Sequence, residues 1–208
     1  VTWSGRYRPP LTNVTTQPRP FQPSIPVWHG SASSPLSTEL AAKYGEPLFS
    51  SNSFHPQAKY KALIDHYRER FAYYGHDPRK AIVGSGASSL YISDTTEEAI
   101  RRYRPYYNAF SNTEAAKLNQ SPFTSLEDIV QHGPALVGSP EQIIEKIIDY
   151  HYAYGNEVLS ISVDGLSEAE QREQLERFAS DIAPVLRKEI PGSVWENEKR
   201  GQGQDITK

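Results

Sequence analysis

The residues with the clearest chemical potential are a run of small side chains, Gly30-Ser31-Ala32-Ser33-Ser34, between a short apolar segment and a helical pattern. Where a strand leads through such a loop into a helix, the first helical N–H groups are free and the helix dipole presents positive charge. This combination binds phosphate, and the hydroxyl groups of Ser31 and Ser34 are the best additional donors. The same residues also make an ordinary turn, with Ser34 as N-cap and Pro35 at the first helical position. The local pattern alone favours the ordinary turn.

Two other segments combine small residues with a strand or a helix start. The run Gly84–Ser89 is typical of a strand with glycine bulges or tight packing, and the alternative is a flat surface that leaves room for a cofactor. Ser139 and Pro140 begin a helix, but Glu141 in its first turn would repel a phosphate. We therefore interpret that helix start as structural.

The residue types that several common classes of site require are missing or scattered. The chain has no cysteine, which excludes disulfides, thiolate metal ligands and cysteine nucleophiles. Neither a GxSxG nucleophile motif nor a Ser/His/Asp set is identifiable. No pair of histidines has the spacing of a zinc motif, so we expect no metal site. The histidines are His29, His55, His66, His76, His132 and His151.

Short apolar runs alternate with helical patterns along the chain, which predicts parallel βα units. Strands are predicted over 25–29, 47–50, 81–93 and 157–163. Helices are predicted over 35–44, 56–74 and 167–187, and two more begin at 94 or 95 and at 140, most of them with capping patterns at their starts. A closed (β/α)8 barrel needs eight strands and about 250 residues, so these elements predict an open sheet or part of a barrel.

The helical patterns also predict which side chains share a face. In the last helix Leu175, Phe178, Ile182 and Leu186 are predicted to face inward. The first helix has Leu36, Leu40, Ala41 and Tyr44 on one face, and the helix after Pro140 has Ile143, Ile144, Ile147, Ile148 and His151 on its buried face. Most aromatic residues are predicted to lie on helix core faces, and a stacking platform is the alternative.

Composition restricts the function classes further. The chain has 22 basic and 25 acidic residues, a net charge of −3, which gives no electrostatic support for binding nucleic acid or a membrane surface. No apolar run of about 18 residues and no secretory signal is visible, so we expect a cytoplasmic protein. Residues 1–24 are Pro-rich and predicted to be extended, and residues 192–208 are predicted to be disordered. Because the chain starts at Val1 and contains no Met, we expect it to be part of a longer protein.

Five stretches, taken in order, resemble bacterial luciferase-like flavin monooxygenases. They are PVWHGSASSPLSTELAAKYGEPLF (26–49), YKALIDHYRERFAYYGHDP (60–78), AIVGSGASSLYISDTTEEAI (81–100), ALVGSPEQIIEKI (135–147) and VLSISVDGLSEAEQREQLERFASDIAPVLRKEIP (158–191). Each stretch is weakly specific alone, and their order and spacing carry the resemblance.

This resemblance implies a TIM barrel of which residues 25–191 would be the C-terminal part, with a flavin at the C-terminal ends of the strands. It implies FMN, or a deazaflavin, as cofactor, and O2 and a small organic molecule as substrates, with a separate reductase supplying the reduced flavin. It places the flavin phosphate at Gly30, Ser31, Ala32, Ser33 and Ser34.

Strand ends would bring His29, Phe49, Ser50 and Asn52 to the substrate pocket. The catalytic residues would lie upstream of Val1, so we assign none here. We also expect a homo-oligomer, because a partial barrel leaves strand edges open. A flavin-binding protein without turnover and an unrelated phosphate-binding α/β enzyme are the alternatives.

Overall fold

The computed structural model describes residues 1–23, 25–118 and 120–190. The predicted disorder of residues 192–208 lies outside the described residues. Within the Pro-rich N-terminal segment, β1 (Trp3–Gly5) and β2 (Arg8–Leu11) form an antiparallel hairpin that the sequence analysis did not predict. Most of its side chains are exposed, so the hairpin adds little to the core.

The central sheet is parallel and has the order β3-β4-β5-β8. Its strands are β3 (His29–Ser31), β4 (Leu48–Ser50), β5 (Val83–Gly86) and β8 (Val158–Ser160). Directly after β5 the chain forms β6 (Leu90–Ile92), which pairs in parallel with β7 (Leu136–Gly138). The parallel βα organisation predicted from the sequence is therefore confirmed.

The first strand of this sheet lies two to four residues later than predicted. The prediction placed it over 25–29, whereas the pairing with β4 begins only where His29 lies opposite Leu48. Pro26 has no N–H group to donate to a neighbouring strand, which disfavours a ladder at that point. His29 therefore begins the strand instead of ending it.

The five predicted helices begin close to their predicted starts, whereas the short helices Glu114–Leu118 and Leu126–His132 were not predicted. The helices are α1 (Pro35–Tyr44), α2 (Gln57–Tyr73), α3 (Thr96–Ser111), α4 (Glu114–Leu118), α5 (Leu126–His132), α6 (Pro140–Tyr154), α7 (Glu168–Arg177) and α8 (Ala183–Glu189), with a 3-10 turn over Pro78–Lys80 and a π-helical turn over Phe178–Ile182. Ser34 and Ser139 act as N-caps, as predicted, and Thr95 and Ser167 are the N-caps of α3 and α7.

One face of the central sheet carries the main core. Leu48 and Val83 lie on this face and pack with residues of α1, α2 and α6, including Ala41, Ile64 and Ile147. The opposite face carries Phe49, Gly84 and the adjacent Trp28 ring, because side chains alternate along a strand. Helices on one face and open strand edges at β3 and β8 are the arrangement of a partial (β/α) barrel.

Two of the predicted helix faces are wrong in part. In α1 the buried residues are Thr38, Ala41 and Ala42, whereas Leu36 is 71% exposed, and Leu40 and Tyr44 are also exposed. In α7 Leu175 is 46% exposed, and its neighbour Gln174 is fully buried.

Each discrepancy has a physical cause. The small side chains of α1 allow this helix to approach α2 closely, so the face that carries Thr38, Ala41 and Ala42 is the one that is buried. Gln174 is buried because its amide nitrogen donates to the carbonyl of Ile92 and its amide oxygen accepts from the Ile92 N–H.

Candidate active-site face

The loop between β3 and α1 uses its own hydroxyl groups to hold its shape. The Ser34 hydroxyl caps α1 by accepting from the N–H of Ser37 at 3.3 Å. The Ser31 hydroxyl is buried, donates to the Ser34 carbonyl at 3.1 Å and accepts from the Thr38 hydroxyl at 3.1 Å. The two serines predicted as the best phosphate donors therefore act inside the loop in this structure.

The backbone of the same loop is the better anion donor. Among the described residues, the N–H groups of Ala32, Ser33 and Ser34 have no hydrogen-bond acceptor, and Ala32 and Ser33 are exposed. The first turn of α1 contains no acidic residue, whereas α3, α5, α6 and α7 each have one or two. A ten-residue helix with free N–H groups and no nearby carboxylate attracts an anion to its start.

The glycines along these strands have different surroundings. A Cβ atom on Gly30 would have no neighbour within 4 Å, so the space beside this backbone is open. A Cβ atom on Gly84 would lie 2.8 Å from the Phe49 ring, and one on Gly86 would lie 2.3 Å from the Ser51 carbonyl oxygen. The tight packing predicted for the Gly84–Ser89 run is confirmed at Gly86.

The four residues predicted at the substrate pocket do not lie together. His29 is on the helix-facing side of β3, where its ring contacts the Glu46 carboxylate. Ser50 faces the same side and is buried. Asn52 is fully buried and donates to the Gly86 carbonyl at 3.0 Å. Only Phe49 faces the open side of the sheet.

A cavity of about 890 Å³ lies at the C-terminal ends of β4, β5 and β8, the face on which (β/α) barrels bind their substrates. Helix α3 supplies one wall through Tyr103, Tyr107 and Phe110, and the chain between α3 and β7 supplies another. Its lining residues include Ser53, Phe54, Ala87, Ser88, Ser89, Tyr103, Tyr106, Tyr107, Phe110, Phe123, Leu126, Ile129, Ser162, Asp164 and Gly165.

The floor of this cavity is the backbone that joins β5 to β6. The Ala87 N–H donates to the Ser160 carbonyl at 3.0 Å, and the Leu90 N–H donates to the Ser162 carbonyl at 2.8 Å. The Ser89 carbonyl accepts from the Leu136 N–H at 2.8 Å. This segment is thus hydrogen-bonded to both parallel sheets.

This cavity was not predicted from the sequence, because its aromatic residues follow the pattern of a core face. Tyr103, Tyr106, Tyr107 and Phe110 have the i, i+3, i+4, i+7 spacing that predicts a buried stripe. In the structure Tyr103 is buried, whereas Phe110 is 45% exposed. Spacing alone does not distinguish a stripe that packs from one that lines a cavity.

The burial of Lys146 was also not predicted from the sequence. Its ammonium group donates to the carbonyls of Val130, Gly133 and Ala135, which surround the end of α5. Burial lowers the pKa of Lys146 to about 8. Lys146 lies three residues after Ile143 and four before Tyr150, and both of these residues are buried. This helical spacing in the sequence could have placed Lys146 on the buried face of α6.

In the part of the chain that the structure describes, no group of three or more His, Asp or Glu residues is placed to hold a metal ion. None of the described helices combines the length and the apolar character needed to cross a bilayer.

The sequence model of luciferase-like monooxygenases matches residues 1–157. The chain belongs to the luciferase-like monooxygenase family. The resemblance found in its motifs is thereby confirmed, and the match includes the N-terminal hairpin, the β3–α1 loop and most of the cavity residues. No curated protein matches the chain.

Solved structures with the same fold include several enzymes of this family. Monooxygenase RslO1 from Streptomyces bottropensis is 21% identical, with a TM-score of 0.70 over 89% of this chain and 55% of that chain. An F420-dependent secondary alcohol dehydrogenase, solved with an F420-acetone adduct, is 17% identical, with a TM-score of 0.65 over 89% of this chain and 56% of that chain.

A third structure is the oxygenating constituent of 3,6-diketocamphane monooxygenase from Pseudomonas putida, in complex with FMN. It is 24% identical, with a TM-score of 0.55 over 77% of this chain and 48% of that chain. The luciferase-like chain described here thus spans about half the length of these structures, in agreement with a partial barrel.

Proposed function

We propose that this chain is the flavin-phosphate-binding part of a flavin-dependent oxidoreductase, and that the phosphate binds at Gly30–Ser34. The observation that carries the proposal is the set of unpartnered N–H groups of Ala32, Ser33 and Ser34 at a helix start without acidic residues. This loop lies inside the segment that matches the luciferase-like family. The donor set fits a phosphate dianion, which accepts several hydrogen bonds at a positive helix end.

In this proposal each part of the loop has a separate task. The N–H groups of Ala32, Ser33 and Ser34 donate to phosphate oxygens. The bonds that link Ser31, Ser34 and Thr38 hold the loop in the binding conformation before the phosphate arrives. The open space beside Gly30 admits the chain that leads from the phosphate to the ring system.

The flavin supplies the redox chemistry when it is bound. We propose FMN as the flavin and a monooxygenase reaction with O2 and a small organic substrate, in a homo-oligomer that receives reduced flavin from a separate reductase. Phe49 faces the open side of the sheet and is the one predicted pocket residue that we retain, although it does not line the cavity at the ends of β4, β5 and β8. We assign no residue of this chain to proton transfer or to attack on the substrate.

A deazaflavin is the second candidate cofactor. A similar fold occurs in the F420-dependent alcohol dehydrogenase described above, and F420-dependent tetrahydromethanopterin reductase from Methanopyrus kandleri is also similar, with 13% identity and a TM-score of 0.56. Both candidate cofactors carry a phosphate, so the loop does not distinguish them. Their absorption spectra do.

The test uses the full chain, purified and incubated with FMN, riboflavin or F420. We expect FMN to remain bound through gel filtration, to be released on denaturation with its full mass, and to bind more tightly than riboflavin. Failure to bind any flavin would overturn the proposed function. Turnover of an aldehyde panel with reduced FMN and O2 separates a monooxygenase from a flavin-binding protein without activity.

A further inference from the structure

We propose that the cavity at the ends of β4, β5 and β8 binds a neutral, planar aromatic molecule that carries an oxygen acceptor. Its selectivity comes from the Phe54–Phe110 wall and from the Ser89–Tyr103 pair. As a substrate assignment this rests on the proposed function, but binding in the cavity requires no flavin and is tested without it.

The cavity is separate from the phosphate loop. That loop follows β3 at one edge of the sheet, whereas the cavity is lined by residues that follow β4, β5 and β8. None of the residues Gly30–Ser34 lines the cavity, so a ligand in the cavity and an anion at the loop contact different residues.

The walls of the cavity are aromatic and partly flat. The rings of Phe54 and Phe110 are stacked, with centroids 6.1 Å apart and planes inclined by 8°. Tyr107 and Phe123 also line the cavity and are partly buried. Parallel ring faces favour a planar ligand, which stacks on them, over a flexible chain that would lose rotational freedom on binding.

Charge is confined to the rim. Lys117 and Asp164 are the charged residues among those that line the cavity in the described chain, and both are exposed. Lys117 pairs with Glu114 at 2.6 Å, and Asp164 accepts from the Ser162 hydroxyl at 2.8 Å. A charged ligand would lose its hydration without gaining an ionic partner, so the inner walls select a neutral one.

One polar pair faces the cavity from its inner wall. The Tyr103 hydroxyl donates to the Ser89 hydroxyl oxygen at 2.7 Å. The hydrogen of the Ser89 hydroxyl has no acceptor among the described residues and remains available for a ligand. Donation from Tyr103 polarises the Ser89 hydroxyl and strengthens its own donation. An aromatic ketone or aldehyde supplies the matching acceptor, and a volume of about 890 Å³ admits two or three fused rings.

The test measures binding of naphthalene, 2-acetonaphthone and decanal to the full chain without flavin, by calorimetry and saturation-transfer NMR. We expect both aromatic probes to bind, 2-acetonaphthone about fivefold or more tightly than naphthalene, and decanal the most weakly. Phe54→Leu and Phe110→Leu should weaken both aromatic probes about tenfold. Ser89→Ala and Tyr103→Phe should remove the advantage of 2-acetonaphthone and leave naphthalene unchanged.

Leu175→Ala is the control, because Leu175 is exposed on α7 away from the cavity, and circular dichroism verifies that each variant is folded. The proposal is overturned if decanal binds more tightly than the aromatic probes, if no probe binds, or if Phe110→Leu binds them unchanged. Loss of FMN binding with intact 2-acetonaphthone binding would overturn the proposed function alone. Intact FMN binding without aromatic binding would overturn the cavity assignment alone.

Discussion

The hydroxyl of Tyr154 donates to the side-chain oxygen of Asn52 at 2.9 Å, and both residues are fully buried. The amide nitrogen of Asn52 donates in turn to the Gly86 carbonyl. One asparagine thus connects the last turn of α6, the end of β4 and the end of β5. Its φ of 40° lies in the left-handed region, where asparagine is tolerated better than most residues.

Asn52→Ala should destabilise the protein by about 3 kcal/mol, because it leaves the Gly86 carbonyl without the Asn52 donor, leaves the Tyr154 hydroxyl only a 3.4 Å bond to the Gln57 carbonyl, and places alanine at a left-handed φ. Urea unfolding measures the loss, with Asn108→Ala on the exposed surface of α3 as control. If the midpoint of unfolding is unchanged and only a substrate KM rises, Asn52 is a pocket residue and the structural role is wrong.

Ser33→Asp should weaken FMN binding tenfold or more and leave riboflavin binding within a factor of two. The new carboxylate would lie beside the free N–H groups of the β3–α1 loop and repel a phosphate, which riboflavin lacks. Fluorescence titration measures both affinities. Ser180→Asp adds the same charge on an exposed part of the π-helical turn and serves as control; equal losses for FMN and riboflavin would argue against phosphate at this loop.

Gln174→Leu should destabilise the protein by about 2 kcal/mol, because both backbone groups of Ile92 lose their side-chain partner in a buried position. The neighbouring exchange Leu175→Gln should change stability by less than about 0.5 kcal/mol, because Leu175 is exposed. Thermal or urea unfolding of the two variants is a matched comparison. If Leu175→Gln destabilised the protein more than Gln174→Leu, Leu175 would be the buried residue, as predicted from the sequence.

Lys146 should make stability rise with pH between about 7.5 and 9.5. Burial lowers its pKa to about 8 in the folded state from 10.5, so the unfolded chain binds more protons in this window. Unfolding then becomes less favourable as pH rises, by up to about 2 kcal/mol over the window. Burial raises the pKa of the adjacent Tyr150, so the unfolded chain ionises this tyrosine first, near its ordinary pKa of 10, and stability falls again as pH approaches about 10.

Lys146→Met should abolish this rise, whereas the exposed Lys80→Met should retain it. Urea unfolding at several pH values measures both. A parallel pH dependence in the wild-type protein and the Lys146→Met variant would show that another group titrates in this range.

Local chain chemistry predicted the helix starts well. Ser34 and Ser139 were identified as N-caps because a serine before a helical pattern satisfies N–H groups that no other part of the helix can reach. The ends of β3 were not predictable in the same way, because pairing with β4 determines them. Whether Leu175 or Gln174 is buried depends on the free backbone groups of Ile92, which lies 82 residues from Gln174 in the chain.

The candidate site, too, could be predicted from the sequence only in part. The position of the β3–α1 loop follows from its residues, but the atoms that it offers to a ligand do not. The hydroxyls of Ser31 and Ser34 are used within the loop, and only the folded structure shows that the backbone N–H groups remain free. The aromatic stripe of α3 has a core pattern, and the chain between α3 and β7 is what makes it the wall of a cavity.

The floor and the walls of that cavity are built from different parts of the chain. The floor consists of backbone groups of Ala87–Ser89, fixed to Ser160 and Leu136 on either side, so the path of this backbone depends little on the side chains that it carries. The walls are side chains of α3 and of the loop after β4, and each can be exchanged without breaking a strand ladder. Such a cavity can diversify its ligands during evolution through single substitutions such as those at Phe54 or Phe110, while the sheet that supports it is inherited unchanged.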